Sequence, residues 1–180
     1  MASVAAFNLK KWIDEHRDLL KPPVCNKQVW QDAEFIVMII GGPNERTDFH
    51  VDPGEEFFYQ LEGDMNLKIF EDGKVKDVPI KEGEVLLLPP NLPHSPQRFS
   101  DTVGMVVERK RREGEMDHLR WYCQKCNEII FDDSFHLTNI EKQLKPVFDK
   151  YYGDEMLRTC KKCGWVEPPK KAPAAASKSS

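Results

Sequence analysis

The chain has 180 residues, of which 40% are hydrophobic and 31% are charged. This composition is typical of a folded globular protein and excludes a largely disordered one. The formal net charge of −4 argues against broad electrostatic attraction to nucleic acid or to an anionic membrane. No apolar run approaches the roughly 20 residues of a membrane helix, and the N-terminal segment lacks the basic start and apolar core of a signal peptide. We therefore expect a protein of the cytoplasm.

The first predicted element is an amphipathic helix near the N-terminus. Asn8 is a candidate N-cap, and the pair Pro22-Pro23 would end the helix. The residues of one face recur at helical spacing: Leu9, Trp12, Ile13, His16, Leu19 and Leu20. We expect this face to pack on a larger unit, either capping it or joining an interface between two subunits.

Between Phe35 and Glu108 the pattern changes to short apolar or alternating segments separated by turns. Asp72-Gly73, for example, is a strong hairpin signal. The predicted strands are 35–40, 57–61, 65–70, 75–80, 85–88 and 103–108. Many short strands at this spacing predict an all-β fold of the jelly-roll barrel type.

The rest of the chain divides into three parts. Residues 109–118 are polar and highly charged, which predicts an exposed connection. Residues 119–166 contain a helical segment at 140–152, which Pro146 would break or kink. Residues 167–180 are rich in Pro, Ala, Ser and Lys, which predicts a disordered tail. The predicted units are a barrel with its N-terminal helix (1–118), a cysteine-containing unit (119–166) and the tail (167–180).

The chain contains five cysteines, and four of them form two CxxC pairs. An odd number of cysteines in a chain without a secretory signal argues against a disulfide framework. Two CxxC turns can surround one metal with four thiolates in a closed tetrahedral site, which suits iron of the rubredoxin kind or zinc. A closed site has no position for a substrate, so we expect a structural role. The predicted ligands are Cys123, Cys126, Cys160 and Cys163, while Cys25 stands alone.

Two histidines and a glutamate in the barrel region are candidates for another metal site. His50 lies just before a turn at 52–54 and Glu56 just after it, so the turn would let both side chains converge. An apolar strand and a proline-rich loop present His94. Two neutral imidazoles and one carboxylate are typical ligands of non-haem Fe(II) oxygenases, in which open positions remain for substrate and O2. Taken singly, each histidine could instead satisfy a hydrogen bond in its loop.

The surroundings of these residues resemble the two sequence motifs of the cupins. Gly83, Pro89 and His94 match the second motif. The first motif departs from the common form, because Asp48 replaces a frequent histidine and the spacing before the glutamate is longer. The chain therefore offers two histidine ligands where many cupins have three.

Several longer stretches together closely resemble the 3-hydroxyanthranilate 3,4-dioxygenase family. The resemblance extends from about Phe7 to Val166 and includes the two late CxxC pairs, as in the microbial form of the family. The matching stretches are 41–50, 55–60, 88–90 and 94–98. The resemblance implies a cupin jelly-roll barrel, dominated by β-structure, with an N-terminal helix and a small C-terminal rubredoxin-like metal-binding unit.

The resemblance also implies an activity, that of an Fe(II)-dependent, extradiol-type ring-cleaving dioxygenase. The family converts 3-hydroxyanthranilate and O2 into 2-amino-3-carboxymuconate semialdehyde. This product closes to quinolinate, a precursor in NAD biosynthesis from tryptophan by the kynurenine pathway. By motif position, His50, Glu56 and His94 would bind the catalytic Fe(II). The resemblance further implies iron at the four cysteines, with zinc as the alternative, and a homodimer.

A substrate with a carboxylate needs a local cation in this net-acidic protein. Arg98 lies four residues after His94, on the same predicted loop, and its guanidinium could bind a carboxylate through two parallel hydrogen bonds. The resemblance assigns Arg98, Glu108 and Asn26 to the substrate, gives Glu56 a substrate contact as well, and assigns Arg46 to bound O2. Arg46 and Glu56 are thus the expected catalytic residues. Without the resemblance, surface ion pairs would explain the arginines.

Two alternative functions remain open at this stage. One is a different small cupin, such as a thiol dioxygenase, another ring-cleaving dioxygenase or a metal isomerase. The other is a zinc-ribbon interaction module on a non-catalytic barrel, with the CxxC pairs binding a partner such as nucleic acid. The net charge of −4 argues against the second alternative.

Overall fold

The computed structural model describes residues 5–22 and 25–169. The N-terminal helix α1 (Leu9–Glu15) begins at the predicted cap, because the side chain of Asn8 accepts a hydrogen bond of 2.9 Å from the backbone N–H of Lys11. The chain then tightens into a 3₁₀ turn (Arg17–Leu20) instead of continuing the predicted α-helix. Pro23, part of the predicted helix end, lies outside the described residues. No helix in the described ranges is long and apolar enough to cross a membrane.

The N-terminal segment covers one sheet of the barrel. Ile13 and Leu20 are buried against Ile39 and Val103, so the predicted packing of this segment on a larger unit is confirmed. Gly41 allows this close approach, because a Cβ atom there would lie only 1.9 Å from the backbone oxygen of Leu20.

The barrel consists of two antiparallel sheets that face each other. In chain order the strands are β1 (Asn26–Gln28), β2 (Phe35–Gly41), β3 (Asp48–Val51), β4 (Glu56–Glu62), β5 (Met65–Glu71), β6 (Lys74–Ile80), β7 (Val85–Leu88), β8 (His94–Arg98), β9 (Val103–Arg109), β10 (Asp117–Tyr122) and β11 (Ile129–Phe135). The first sheet has the order β1-β2-β9-β4-β7, and the second has the order β11-β10-β3-β8-β5-β6. This arrangement confirms the expected cupin jelly roll.

The core lies between the two sheets. Side chains alternate along β4, so that Glu56, Phe58 and Gln60 are buried inside the barrel while Phe57 and Tyr59 lie on its outer face. Phe58 packs with the apolar residues Met65, Leu67, Ile69, Ile80, Leu88 and Val106. The inner face of β4 therefore carries polar groups directly beside the hydrophobic core.

All six predicted strands are present, and each agrees with the prediction to within one residue at either end. The sequence did not reveal β1, β3, β8, β10 and β11. His94 and Arg98, expected on a loop, lie at the two ends of β8. The polar residues of this strand and its internal Pro96 hide the alternation by which a half-buried strand is recognised.

The segment 109–118 is only in part the exposed connection that its charges predict, because five of its ten residues are exposed and two are buried. The side chains of Arg111 and Asp117 are completely buried, and Asp117 begins β10. These opposite charges neutralise each other inside the protein. Composition alone cannot distinguish such pairs from charges that water solvates.

The cysteine-containing unit continues the second sheet. β10 pairs with β3, so the predicted boundary between residues 118 and 119 falls inside a strand, and the division into units stays a prediction. Helix α2 (Ile140–Gly153) runs through Pro146, which therefore does not break it. Val147 and Tyr151, which follow the proline, pack against Trp121 and hold this part of the helix on the sheet. Residues 170–180 of the predicted tail lie outside the described part.

Candidate metal centre and substrate site

The two sheets bring three potential metal ligands together inside the barrel. His50 on β3 and His94 on β8 are direct cross-strand neighbours. Glu56 reaches them from the start of β4 in the other sheet. One ligand atom from each residue lies within 4.8 Å of the other two, and all three side chains are buried.

Glu56 Oε1 is the common neighbour of the two imidazoles. It lies 3.0 Å from His94 Nε2 and 3.5 Å from His50 Nδ1, yet it has no hydrogen bond of acceptable geometry with any residue that the structure describes. Burial alone would raise the pKa of Glu56, but the two histidines hold it well below its ordinary value. A buried, ionised oxygen without a hydrogen bond is costly unless a cation satisfies it.

The other nitrogen of each imidazole has its own acceptor. His50 Nε2 lies 2.7 Å from Asp117 Oδ2, and His94 Nδ1 lies 3.0 Å from the backbone oxygen of Leu92. An imidazole that donates through one nitrogen presents a lone pair on the other, and here that second nitrogen faces Glu56. Both histidines are therefore oriented as metal ligands would be.

The electrostatic environment of these three residues favours a positive charge. Burial alone would lower the pKa of His50, but Asp117 and Glu56 outweigh burial and raise it to about 10. The two carboxylates thus stabilise positive charge at this position. A divalent cation would supply that charge and also satisfy Glu56, so two nitrogens and one oxygen fit such an ion.

Arg98 is a buried cation on the inner side of β8. Its side chain contacts Gln60 Oε1 at 3.3 Å, but it forms no ion pair within residues 5–22 and 25–169. Burial lowers the pKa of Arg98, and the charge of Arg46 lowers it further, to about 10. A buried guanidinium without a counter-charge is suited to pair with an anion.

The remaining predicted residues differ in how closely they approach this centre. Arg46 precedes β3, is paired with Asp48 and lies within electrostatic range of Glu56. Glu108 is buried near the end of β9, where burial, the charge of Glu56 and Asp52 raise its pKa well above the ordinary value. Asn26 is half-buried on the edge strand β1, where the structure gives it no link to the three ligands.

Sequence reasoning missed the buried partners of this centre. Asp117 supports His50, and Arg111 contacts both Asp117 and Glu108. A signal was present for Asp117, because it precedes Leu119 and Trp121 at the period of two that marks the inner face of a strand. For Arg111 we find no such signal.

The four predicted cysteines converge at the other end of β10. Cys123 Sγ lies 3.5 Å from Cys163 Sγ, and Cys126 Sγ lies 3.6 Å from Cys160 Sγ. All four are free thiols rather than disulfides, and the group meets the spacing of a metal site. The backbone N–H of Cys163 lowers the pKa of Cys160 to about 7, which favours the thiolate that a metal needs.

Each CxxC pair closes a tight turn with a left-handed residue. The N–H of Asn127 donates to the oxygen of Cys123 at 2.8 Å, and that of Gly164 donates to the oxygen of Cys160 at 2.9 Å. Asn127 and Gly164 have φ angles of 60° and 73°. Such turns aim two thiolates at one point, as the sequence predicted.

Comparison with known proteins identifies the family. The model of the 3-hydroxyanthranilic acid dioxygenase family matches residues 1–152. The chain belongs to this family. It is 52% identical over 174 residues to the 3-hydroxyanthranilate 3,4-dioxygenase of Ruegeria pomeroyi, covering 96% of this chain and 97% of that protein. It is 53% identical over 165 residues to the enzyme of the same name from Xanthomonas campestris, covering 92% and 93%.

Membership in the 3-hydroxyanthranilic acid dioxygenase family shows that the protein is an enzyme, an oxidoreductase. The alternative of a zinc-ribbon module on a non-catalytic barrel is therefore wrong. Among solved structures, a cupin-2 domain protein from Shewanella frigidimarina aligns with a TM-score of 0.46 and 15% identity, covering 58% of this chain and 94% of that chain.

Proposed function

We propose that this enzyme cleaves the ring of 3-hydroxyanthranilate with O2 at a catalytic Fe(II) held by His50, Glu56 and His94. The product would be 2-amino-3-carboxymuconate semialdehyde, the precursor of quinolinate in NAD biosynthesis. One observation carries the proposal: the buried Glu56 oxygen lies between two imidazole nitrogens, in a barrel that also buries Arg98, which has no counter-charge among the described residues. The names of the relatives agree with it.

The three proposed ligands would have different roles at the metal. Bound Fe(II) supplies open coordination positions and a path for electrons from the ring to O2. Each histidine is fixed through its outer nitrogen, so neither can rotate away from the ion. Glu56 adds the negative charge that a cation requires in a buried site.

The substrate carboxylate would bind Arg98. The contact would stabilise both partners, because the guanidinium is buried with no counter-charge in the described part of the chain and the carboxylate must leave water. Burial, the charge of Glu56 and Asp52 raise the pKa of Glu108, which favours the protonated carboxyl that can donate a hydrogen bond to the same ligand. We assign Asn26 to substrate binding on the family resemblance alone.

Arg46 would act on the O2 side of the centre. It remains charged, because Asp48 and Glu56 raise its pKa against the effect of burial. A fixed cation near the reacting oxygen stabilises the negative charge that develops there during oxidation. We therefore propose Arg46 and Glu56 as catalytic residues.

We propose that the four cysteines bind a second iron with a structural role, and zinc is the alternative. The four sulfurs lie close enough together to bind one ion, and four thiolates would complete its tetrahedral set and leave no position for a substrate. The five free thiols also support a reducing, cytoplasmic location.

We further propose a homodimer that forms through the outer face of the first sheet. Phe57 lies opposite both Leu87 and Val107, so apolar side chains adjoin each other across three strands. At this face Val85 and Leu87 are 59% and 58% exposed. A contiguous apolar face of this kind favours burial against a second copy. Sedimentation velocity of Leu87→Glu should then show monomers.

The decisive experiment is a turnover assay with anaerobically loaded Fe(II). After addition of 3-hydroxyanthranilate and then air, we expect uptake of one O2 per ring-opened product and slow conversion to quinolinate. Arg98→Ala should raise KM for 3-hydroxyanthranilate strongly, whereas turnover of 2-aminophenol, which lacks the carboxylate, should be little affected. Absence of turnover in fully loaded protein would refute the proposed reaction.

A further inference from the structure

Arg111 is a buried cation beside the candidate centre and has no part in the function proposed above. Its Nη2 atom lies 2.6 Å from Asp117 Oδ2, 2.8 Å from Asp52 Oδ2 and 2.9 Å from Glu108 Oε2. Its Nε atom donates to Asp117 Oδ1 at 2.7 Å, and its Nη1 atom donates to the backbone oxygen of Arg109 at 2.9 Å. The side chain has no exposed surface.

Arg111 binds Asp117 in a bidentate contact. Nε and Nη2 of Arg111 bind the two oxygens of the carboxylate, which fixes the plane of that group as well as its position. The same Asp117 Oδ2 atom lies 2.7 Å from His50 Nε2. A rigid chain of hydrogen bonds thus connects the guanidinium to the imidazole of a proposed metal ligand.

The same guanidinium also reaches the substrate side of the centre. Glu108, which we assign to the substrate, has Arg111 as its hydrogen-bond donor. One side chain therefore supports both a ligand of the metal and a residue of the substrate site. An exposed surface ion pair could not do this, because water would compete for each oxygen.

We propose that Arg111 is a positioning residue of the catalytic centre, which orients His50 through Asp117 and holds Glu108 at the substrate. The inference rests on the proposed metal site. Lysine could replace the charge of Arg111 but not its bidentate contact, because an ammonium group cannot donate two parallel hydrogen bonds to one carboxylate as a planar guanidinium does. Substitution by lysine therefore separates orientation from charge compensation.

The experiment compares Arg111→Lys with Arg120→Lys as a matched control. Arg120 lies on the same strand as Asp117 and binds Asp132 through Nε and Nη2, but this contact is exposed, on the face of the strand opposite to Asp117. Mn(II) is the probe, because it avoids thiolates and its free concentration is read by electron paramagnetic resonance. The cysteine site is filled with zinc beforehand.

We expect Arg111→Lys to bind Mn(II) about 10- to 100-fold more weakly than the wild type, since this is the usual effect of losing a partner of a ligating histidine. Its kcat with Fe(II) should fall and its KM should rise, while Arg120→Lys matches the wild type in each measurement. Asp117→Asn should weaken Mn(II) binding similarly, and the double variant should be no worse than the worse single variant.

The opposite results would overturn the inference. If folded Arg111→Lys and Asp117→Asn both bind Mn(II) as the wild type does, Arg111 is only a structural ion pair. If Arg111→Lys fails to fold, Asp117→Asn decides the question alone. If the wild-type protein binds Mn(II) at the histidines but does not turn over 3-hydroxyanthranilate, the proposed substrate is refuted. The comparison of Mn(II) affinities would still test the role of Arg111. Wild-type protein that binds no Mn(II) there would overturn both proposals.

Discussion

Substitution of Gly104 by alanine should displace the proposed carboxylate-binding arginine without touching any metal ligand. Gly104 lies on β9 opposite Gln60, with the guanidinium of Arg98 above it. A Cβ atom at this position would lie 2.5 Å from Arg98 Nη1 and 2.8 Å from Gln60 Oε1. Both side chains are buried, so neither can avoid the new methyl group by moving into solvent.

The size of the effect follows from these distances. To regain an ordinary van der Waals contact, Arg98 Nη1 must move by about 1 Å. A misplacement of about 1 Å in a group that orients the substrate can cost about 100-fold in rate. We therefore expect kcat/KM for 3-hydroxyanthranilate to fall by about 10- to 100-fold, mainly through KM.

The assay measures steady-state kinetics of Fe(II)-loaded enzyme with 3-hydroxyanthranilate and with 2-aminophenol. Because 2-aminophenol has no carboxylate, Gly104→Ala should change its kcat/KM much less. Gly153→Ala is the matched control, since no atom outside the helix backbone lies within 4 Å of a Cβ atom there. Equal losses for the two substrates would refute the reasoning, because the damage would then not act through the carboxylate site.

Three further predictions concern the metals and the buried acid. His94→Ala should abolish metal binding at the barrel site and turnover while the far-UV circular dichroism stays native; activity in this variant would remove His94 from the ligand set. Cys160→Ser should release the second metal and lower the melting temperature, yet leave kcat of Fe(II)-loaded enzyme unchanged; a parallel loss of kcat would contradict a purely structural site. In metal-free protein, burial alone would raise the pKa of Asp117, but Arg111 and His50 outweigh it and lower the pKa below 3.8. The stabilisation by ionised Asp117 is therefore complete well above pH 3.8 and is lost as the pH falls through the lowered pKa. Asp117→Asn lacks this carboxylate, so its free energy of unfolding should fall less steeply than that of the wild type between about pH 5 and pH 2. Urea titrations in which the free energies of the wild type and the variant fall in parallel would contradict this.

Local patterns in the sequence were sufficient for much of the fold. Six strands followed from runs of apolar residues and turn signals, because neighbours two positions apart share a face of a strand whatever its partners are. The N-cap at Asn8 was equally local, since it depends on a residue three positions away. β8 was not predicted, because its polar sequence carries no periodic signal and its strand conformation depends on pairing with β5.

The candidate site also contains features that local sequence predicts and others that only the structure shows. The sequence indicated the residue types of both metal sites, since a CxxC pair closes its own turn and the motifs around His50 and His94 are continuous segments. It did not indicate which groups support them. Asp117 and His50 are 67 residues apart, and only the register of β10 on β3 brings them into contact.

The amino-acid sequence alone therefore determined the family, the elements with a clear period and the identity of the candidate ligands. The tertiary structure decided which charges are buried and what each one contacts. Arg111 and Arg98 look alike in the sequence, yet one is enclosed by three carboxylates and the other has no acid beside it among the described residues. The physical reason is that burial and charge pairing arise from strand pairing across long distances in the chain, which no local pattern encodes.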